Sequence, residues 1–429
     1  MTLNAAFIDT RVHHAEAMRR ADAGLLSLAL MDARSRTLGW LAAFDGLHVN
    51  TAPAHANPPW WLAGQAGWFQ AHWIAHFAPC SRGAAASAAA SAAGVRYSSV
   101  EPRADAWFSP RASRRAQRWQ QTPPQPAELQ DYLAHTLDIT LALLDKAEPT
   151  DDALVGFRLA LHHEDRLGEA LAGLAQALDL PAERYPALID SGLWPSLASR
   201  SRRDAIGLPG QMVQLGALPG GFVPDAEQGA HRQAVAEFEI DAQPVTWSQY
   251  AEFVDDGGYD QPRWWTDAGW QWLQTTGRRA PRHVDQIGHT GNGVLARRQG
   301  RLQRLPLAQA VLHVSAHEAA AWCHWAGRRL PDEAEWALAA SSASARGFHW
   351  GELLEWVAGP AALFAGALAG PAALDALPAP TPGAGPAARW RVLRGASAWA
   401  SARLRHPQAR RFAAPDRDDL FVGFRSCAV

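Results

Sequence analysis

The chain has 429 residues, of which 48% are hydrophobic and 19% are charged, and its formal net charge is -2. This composition is typical of a folded protein rather than a disordered one, and the length predicts two or three domains. The charge balance lacks the basic excess that binds a phosphate backbone, so we expect no nucleic-acid partner.

Four amphipathic segments in the first half of the chain predict a four-helix bundle. Residues 15–45 carry Leu28, Met31, Leu38 and Leu41 at helical spacing. The segment 58–77 begins with Pro, which the first turn of a helix tolerates. Residues 126–146 repeat Leu at helical spacing, and a fourth helix is predicted after the acidic turn at 149–152.

The second half has a different pattern from about residue 208, with short apolar runs separated by Gly, Pro and Asp. One clear helix is predicted at 315–327, so the fold class expected for the whole chain is α+β. We divide the chain into a bundle at 1–180, a linker at 181–207 and an irregular, loop-rich domain at 208–429. The low-complexity stretches 81–94 and 358–388 are predicted to be flexible loops.

No membrane contact and a cytoplasmic location are expected. The uncharged stretches are rich in Ala, Gly and Pro, so none is predicted to span a bilayer. The opening MTLNAAFIDTRVHH does not show the basic and then apolar pattern of a secretory signal. Cys80, Cys323 and Cys427 are far apart in the sequence, which favours buried free thiols over a disulfide framework.

The stretch LALHHEDRLGEALAGLAQAL, residues 159–178, groups histidines and carboxylates as a metal-binding helix does. Only residues three or four apart share one face of a helix. Four residues after His163 comes Leu167, and four after His162 comes Arg166, a fixed cation that binds no metal. The helix therefore offers His163 and, slightly rotated, Glu169, which is a fragment of a metal site.

Motifs along the whole chain resemble a known family. Five of them resemble the formylglycine-generating-enzyme fold, which is C-type-lectin-like: PVTWSQYAEFVDDGGYDQPRWWTDAGWQWL, HVSAHEAAAWCHWAGRRLPDEAEWALAA, GELLEWV, VLRGASAWAS and VGFRS. In the first half, NPPWWLAGQAGWFQAHW, RADAWFS and ALHHEDRLGEAL resemble the DinB-like bundle that precedes this fold in ergothioneine synthases of the EgtB type and selenoneine synthases of the SenA type.

The resemblance implies a mononuclear non-haem Fe(II) site that uses O2 to join a sulfur or selenium donor to hercynine, the trimethylated betaine of histidine. In the family three His side chains hold the iron. In this sequence His163 matches one of them, whereas Gln65 and Leu167 occupy the other two positions. Iron prefers imidazole and carboxylate ligands, so a single imidazole beside an amide and an apolar side chain predicts a weak site.

The resemblance also indicates substrate-facing residues. Phe412 and Arg417, in RRFAAPDR, align with a substrate-facing segment, and Trp68 lies in the bundle motif. Arg417 could hold a carboxylate through two hydrogen bonds, or it could pair with Asp416, Asp418 or Asp419 at the surface. No residue is assigned a catalytic role. The remaining motif residues are predicted to be structural: Glu333, Glu335, Trp336, Arg394, Gly395, Gly423 and Arg425.

Two functions follow from these observations. The first is O2- and Fe(II)-dependent formation of a C–S or C–Se bond on hercynine. The second is an inactive relative that binds a small betaine-type ligand or a partner protein. Aromatic faces bind quaternary ammonium groups without a metal, although ordinary core packing is the favoured interpretation for most of the Trp residues concerned. The Trp residues concerned are Trp60, Trp61, Trp68, Trp264 and Trp265.

Overall fold

The computed structural model describes residues 9–77, 101–190, 194–288, 293–365 and 390–429. The chain forms two compact units. The first contains Met1–Trp194, Gly220–Phe222 and Trp399–Leu404, and the second contains Pro195–Pro219, Val223–Ala398 and Arg405–Val429. The predicted loop at 81–94 lies outside the described residues, as does most of that at 358–388.

The described part of the first unit is helical. Its helices are α1 (Ala15–Arg19), α2 (Ala23–Ala43), α3 (Pro59–Phe77), α4 (Ala104–Phe108), α5 (Arg115–Arg118), α6 (Pro126–Leu144), α7 (Asp151–Ala177) and α8 (Pro186–Asp190). The single helix predicted at 15–45 is two helices, because the Asp22 side chain accepts a hydrogen bond from the Leu25 N–H and starts α2 afresh. Helix α7 begins at the predicted acidic turn, where the Thr150 side chain accepts from the Ala153 N–H.

A buried polar network joins the four long helices α2, α3, α6 and α7. The Arg34 guanidinium donates to Glu164 at 2.8 Å and to the Gln70 Oε1 at 2.9 Å, and it also contacts Thr136. These four side chains come from four different helices, which fixes them as one bundle. Because buried charges need partners, this network dictates how the helices are rotated.

The predicted apolar face of α2 is wrong. Leu28 and Met31 are 45% and 43% exposed, whereas the face that is buried carries Leu26, Ala29, Leu30, Ala33, Arg34, Thr37 and Trp40. Arg34 and Thr37 belong to the core because Glu164 accepts hydrogen bonds from both. An apolar periodicity drawn through Leu28 and Met31 therefore follows the outer face of the helix.

The second unit combines helices with short strands. The helices are α9 (Trp247–Asp255), α10 (Asp267–Thr276), α11 (Ala316–Trp325) and α12 (Glu333–Ser342). The strands are β1 (Ile206–Leu208), β2 (Gln211–Leu215), β3 (His231–Val235), β4 (Phe238–Ile240), β5 (Val284–Gly288), β6 (Gly293–Arg298), β7 (Arg301–Leu305), β8 (Leu354–Pro360), β9 (Arg391–Gly395), β10 (Arg410–Ala413) and β11 (Val422–Phe424). The α+β class is thus confirmed, and the one predicted helix is accompanied by three more.

Four sheets are present among the described residues. They are β1–β4, β2–β3, β5–β6–β7 and a four-stranded sheet in the order β10–β9–β8–β11. In the last sheet β11 runs parallel to β8, and the other pairs are antiparallel. Strand β8 includes residues 358–360, so the start of the tract predicted to be a flexible loop is ordered as a strand.

The motif residues predicted to be structural stabilise this second unit. The Arg425 guanidinium donates to Glu355 at 2.8 Å, the Trp336 indole N–H donates to the same carboxylate at 3.0 Å, and all three side chains are almost fully buried. Arg394 donates to Glu333 at 3.1 Å. At Gly423 a Cβ atom would lie 2.4 Å from the Val311 carbonyl oxygen, so only glycine fits β11 there.

The expectations about the cysteines, the linker and membrane spans can each be compared with the structure. Cys323 and Cys427 are buried free thiols, and burial raises the pKa of both well above its usual range, whereas Cys80 lies outside the described residues. The segment proposed as a linker, 181–207, contains α8 and the first residues of β1, and the two units meet along the chain at residues 194–195. No described helix combines the length and apolarity needed to cross a membrane.

Candidate functional site

Helices α3 and α7 bring Gln65 and His163 into contact in the first unit. The Gln65 Oε1 lies 2.9 Å from the His163 Nε2, and the Gln65 Nε2 donates to the Phe108 carbonyl oxygen at 2.9 Å. Gln65 is 1% exposed, so its amide has exchanged water for these two protein partners. The two positions that the resemblance connects with metal binding are therefore linked by a hydrogen bond.

The Phe108 carbonyl determines where the proton on His163 sits. A carbonyl oxygen only accepts, so it must face the Gln65 NH2 group, and this orientation turns the amide oxygen toward His163. An amide oxygen also only accepts, so the His163 Nε2 must carry a hydrogen and donate it. In this arrangement the Nε2 atom has no lone pair to offer a metal ion.

The surroundings of this pair are apolar. The His163 ring stacks on the Phe69 ring with centroids 3.9 Å apart, and Leu167, one turn further along α7, is 7% exposed. Gly64 allows this close packing, because a Cβ atom there would lie 2.1 Å from the Phe108 ring. The centre is thus formed by an imidazole, an amide and hydrocarbon side chains.

Trp68 lies on the same helix as Gln65 and is held in place by protein contacts. Its indole N–H donates to Asp105 at 2.7 Å, and its ring stacks on His72 with centroids 4.7 Å apart. Trp68 is 8% exposed. Substrate binding by Trp68 stays a prediction.

Phe412 and Arg417 belong to the second unit. Arg417 donates to Asp419, with its Nη2 atom 2.9 Å from the carboxylate, which is one of the three surface pairings considered from the sequence. Phe412 lies on β10 and packs against the hydrophobic core of that unit, with the Arg410 guanidinium 5.2 Å from its ring centre. Substrate binding by these two residues stays a prediction.

The other Trp residues considered as ligand walls already contact protein groups. The Arg118 guanidinium lies 3.8 Å from the Trp61 ring centre, and the Arg263 guanidinium lies 4.3 Å from that of Trp264. Trp265 donates to the Gly258 carbonyl at 2.8 Å. These contacts favour core and surface packing over an open aromatic cage for a quaternary ammonium group.

Sequence reasoning missed the contribution of Phe108. The segment RADAWFS was recognised as a motif, but the group that acts is a backbone carbonyl, and no residue type signals that role. The long-range contacts of Arg403 were also missed. This residue donates to Asp165 at 2.6 Å and to Asp32 at 2.7 Å inside the first unit.

Comparison with known proteins agrees with the motifs in both units. Residues 193–376 match the Sulfatase-modifying factor enzyme 1-like domain family. The hercynine oxygenase of Mycolicibacterium smegmatis is 36% identical over 234 residues, which are 53% of this chain and 52% of that protein. The hercynine oxygenase of Mycolicibacterium thermoresistibile is 29% identical over 451 residues, covering 93% of this chain and 94% of that protein.

The chain is similar to hercynine oxygenases over most of its length. It spans about half the length of the Mycolicibacterium smegmatis relative and nearly all of the Mycolicibacterium thermoresistibile relative. Among solved structures, PvdO from Pseudomonas aeruginosa matches 52% of this chain and 93% of its own, at 17% identity and a TM-score of 0.32.

The side chains at the three positions that the resemblance connects with iron do not supply a set of iron donors. A non-haem Fe(II) site needs imidazole or carboxylate donors on one face. Here Leu167 has no donor atom, the Gln65 oxygen accepts from His163, and the His163 Nε2 holds a proton. Among the described residues, no three His, Cys, Asp or Glu side chains are grouped so that they could hold a metal ion.

Proposed function

We propose that this chain is a non-catalytic relative of the hercynine oxygenases, in which a hydrogen-bonded Gln65–His163 pair stands where the family holds iron. The observation that carries this proposal is the chain of hydrogen bonds from the Phe108 carbonyl through Gln65 to the His163 Nε2. It satisfies all three polar groups internally, and a metal at the His163 Nε2 would have to break it.

Two features of the site oppose a metal bound to the His163 Nε2. To bind a metal through its Nε2, His163 would have to move a proton to its other ring nitrogen, and the Gln65 oxygen would lose its donor. An unsatisfied buried polar group costs about 1–3 kcal/mol. Leu167 adds a second obstacle, because it places hydrocarbon where the family supplies an imidazole. A charged ion beside buried hydrocarbon is poorly solvated.

The competing function is the family activity itself, O2- and Fe(II)-dependent formation of a C–S or C–Se bond on hercynine. It is supported by a resemblance that extends over 93% of the chain. Metal analysis separates the two functions. Protein purified after growth in iron-supplemented medium should contain far less than one iron per chain. Near-stoichiometric iron that disappears in His163→Ala would overturn the non-catalytic proposal.

Restoring the ligands is the matching gain-of-function experiment. The double substitution Gln65→His with Leu167→His should raise Fe(II) affinity by at least about tenfold, because it supplies two further imidazoles beside His163. Fluorescence-monitored or calorimetric Fe(II) titration under anaerobic conditions measures this change. The control pair Gln65→Asn with Leu167→Met keeps polarity and size without adding imidazole, and it should show no gain.

Adding His163→Ala to the His-containing double variant should remove the gained affinity. An unchanged Fe(II) affinity in the double variant would show that the three positions do not converge on one point.

A ligand-binding role is the second part of the proposal. A hollow of about 520 Å³ in the first unit is lined by residues 110–115, 117 and 118, which include the exposed side chains of Arg111, Arg114 and Arg115. Guanidinium groups bind carboxylates through two parallel hydrogen bonds. This hollow therefore suits the carboxylate of a betaine or amino acid, without any requirement for a metal.

Calorimetric titration with hercynine tests this role. We expect binding to the parent chain and at least about tenfold weaker binding to Arg111→Gln with Arg114→Gln, because each lost charge-assisted hydrogen bond is worth roughly 1.5–3 kcal/mol. Arg103→Gln, which removes an exposed guanidinium that pairs with Glu101 and Glu128, is the control. Failure of hercynine to bind the parent chain would contradict a betaine ligand at this hollow.

A further inference from the structure

A cluster of charged and imidazole side chains lies in the second unit, outside the residues that the family resemblance brings forward. We call it the histidine–arginine cluster. It is formed by the loop before β5, the end of β6 and the loops before α11 and β11. Its members are Arg278, Arg282, His283, Arg298, His313, Arg417, Asp418 and Asp419. The Arg297 N–H donates to the His283 carbonyl at 2.8 Å and holds β6 against the first loop.

The two imidazole rings are packed together in an unusual backbone conformation. Their centroids are 4.9 Å apart and the rings meet edge to face. Both residues have positive φ, 68° at His283 and 63° at His313, a region that few non-glycine residues occupy. Such conformations persist only where surrounding contacts impose them, and they concentrate at binding and catalytic sites.

Both imidazoles are neutral at pH 7. Burial, helped by the charges of Arg282, Arg278 and Arg298, lowers the pKa of His283 to about 3. Burial lowers the pKa of His313 well below its usual value, and the charges of His283 and Arg298 add to the effect. The pair therefore adds no positive charge of its own at neutral pH, and its neutral state reflects burial first and the surrounding positive charges second.

The carboxylates in the cluster are already shared among other guanidinium groups. Asp418 accepts from both Arg278 and Arg282, at 2.5 and 2.9 Å. Asp419 accepts from Arg417 at 2.9 Å. Four guanidinium groups thus face two carboxylates in this cluster.

Arg298 is the guanidinium without a counter-charge. Across the described ranges of the chain it makes no side-chain hydrogen bond or ion pair, and burial alone accounts for the lowering of its pKa to about 10. Its position is further disfavoured by Arg301, which lies directly opposite in the β6–β7 hairpin. Like charges that face each other across two strands are destabilising.

Arg298 is partly buried and has no anionic partner among the described residues, whereas charged groups inside proteins are normally paired. We propose that Arg298 and His283 form a binding site for a small oxyanion, a phosphate or carboxylate group that supplies the missing counter-charge. Arg298 presents two parallel N–H donors, the geometry that oxyanions match, and the neutral His283 imidazole adds one further donor. Arg298 is partly exposed, so an anion can reach it from solvent.

Binding at this site is linked to protons. The bound anion offsets the charges of Arg278, Arg282 and Arg298, so it raises the pKa of His283 toward its usual range. By linkage the anion then binds more tightly as pH falls toward that value. His313 and Asp419 also face His283, and the charge of Asp419 acts against the arginines by raising the pKa of His283.

Calorimetric titration of the full chain with inorganic phosphate, and separately with acetate, tests the proposal. Arg298→Met should weaken phosphate binding by at least about tenfold, because it removes the bidentate donor. Arg297→Met is the matched control, because it removes a guanidinium from the opposite face of the same strand and should leave binding unchanged. Equal phosphate affinity in Arg298→Met and the parent chain would overturn the proposal, as would failure of both anions to bind the parent.

A second measurement keeps the test informative if Arg298→Met alters the fold. The NMR titration of His283 in the parent chain should show a higher pKa with saturating phosphate than without it. Arg298→Lys retains the positive charge but not the two parallel N–H donors, so phosphate should raise the pKa of His283 by less in this variant. A His283 pKa that phosphate does not move would contradict the site. Comparing phosphate with acetate then shows whether the oxyanion it prefers is a phosphate or a carboxylate.

Discussion

Glu318 illustrates how a single buried carboxyl sets the pH response of the second unit. It accepts from the Tyr259 hydroxyl at 2.6 Å and from the Ser315 N–H and hydroxyl, both at 2.8 Å. Burial outweighs these hydrogen bonds and raises the pKa of Glu318 from 4.5 to about 7. The hydrogen bonds start helix α11 as a capping box, so the carboxyl is retained for its geometry although its charge is disfavoured.

The direction of the pH effect on stability follows from the raised pKa of Glu318. The folded chain binds the Glu318 proton more tightly than the unfolded chain, so this group lowers stability as pH rises from about 4.5 to about 7. Glu318→Gln has no such titration. Between pH 4.5 and pH 8, the free energy of unfolding of Glu318→Gln should therefore rise by about 3 kcal/mol relative to that of the parent. This is the free energy that corresponds to the raised pKa of Glu318.

Urea denaturation across this pH range measures the difference between Glu318→Gln and the parent chain. Glu252→Gln, at an exposed glutamate of helix α9, is the control for the loss of a carboxylate that is not buried. A pH-independent difference between Glu318→Gln and the parent would mean that folding does not change the pKa of this carboxyl.

At the scale of elements, helix α3 is shaped by two glycines. A Cβ atom at Gly64 would lie 2.1 Å from the Phe108 ring, and one at Gly67 would lie 2.9 Å from the Tyr132 ring. These two rings stack on each other with centroids 5.5 Å apart. The glycines therefore let α4 and α6 approach the backbone of α3, and this approach brings the Phe108 carbonyl within reach of Gln65.

Gly64→Ala should consequently destabilise the first unit by more than about 2 kcal/mol, because either the Phe108 ring or the helix must move. Gly173→Ala in helix α7 is the matched control. Nothing lies within 4 Å of a Cβ atom at that position, so the substitution should stabilise by about 0.5–1 kcal/mol through helix propensity. Thermal unfolding followed by circular dichroism compares the two. A neutral Gly64→Ala would show that Phe108 is not packed on α3 in solution.

Local sequence patterns predict where the helices of the bundle lie better than they predict which face of each helix is buried. Periodicity and capping residues locate α3, α6 and α7 within a few residues, because those signals are local. The buried face of α2 is misread because Arg34 and Thr37, which are polar, occupy the core through their bonds to Glu164. No local pattern shows that three distant helices will supply partners for Arg34.

The same reasoning explains what could be predicted of the candidate site. Gln65, His163 and Leu167 are identified from motif positions, and the contact of Gln65 with His163 confirms that α3 and α7 bring two of these positions together. The direction of the hydrogen bond depends on the Phe108 carbonyl, and backbone groups carry no sequence signal. The chemistry of the centre therefore required the structure.

At the scale of the whole molecule, the two units are interleaved along the chain. Residues Trp399–Leu404 belong to the first unit, although the sequence on both sides of them belongs to the second. Arg403 in this segment donates to Asp165, to Asp32 and to the Val12 carbonyl oxygen. A contact between residues 238 positions apart cannot be inferred from local periodicity, and a division of the sequence into consecutive domains leaves it out.

This interleaving predicts that a fragment of residues 1–194 will not fold cooperatively. Burial raises the pKa of Asp165, and the Arg403 guanidinium opposes that effect with its charge and hydrogen bond. Without Arg403 the buried carboxylate loses a partner, and breaking a buried ion pair from one side costs about 3–5 kcal/mol. That is a large fraction of the stability of an ordinary domain.

Near-UV circular dichroism and NMR dispersion of the fragment test this expectation. Asp165→Asn in the fragment should restore part of the cooperativity, because the neutral amide does not require a cation. Arg403→Met in the full chain should destabilise the first unit, and the same Asp165→Asn substitution should partly compensate for it. A fragment that unfolds as sharply as the full chain would show that residues 399–404 are not needed to complete the bundle, and the boundary near residue 194 would then separate two independent folding units.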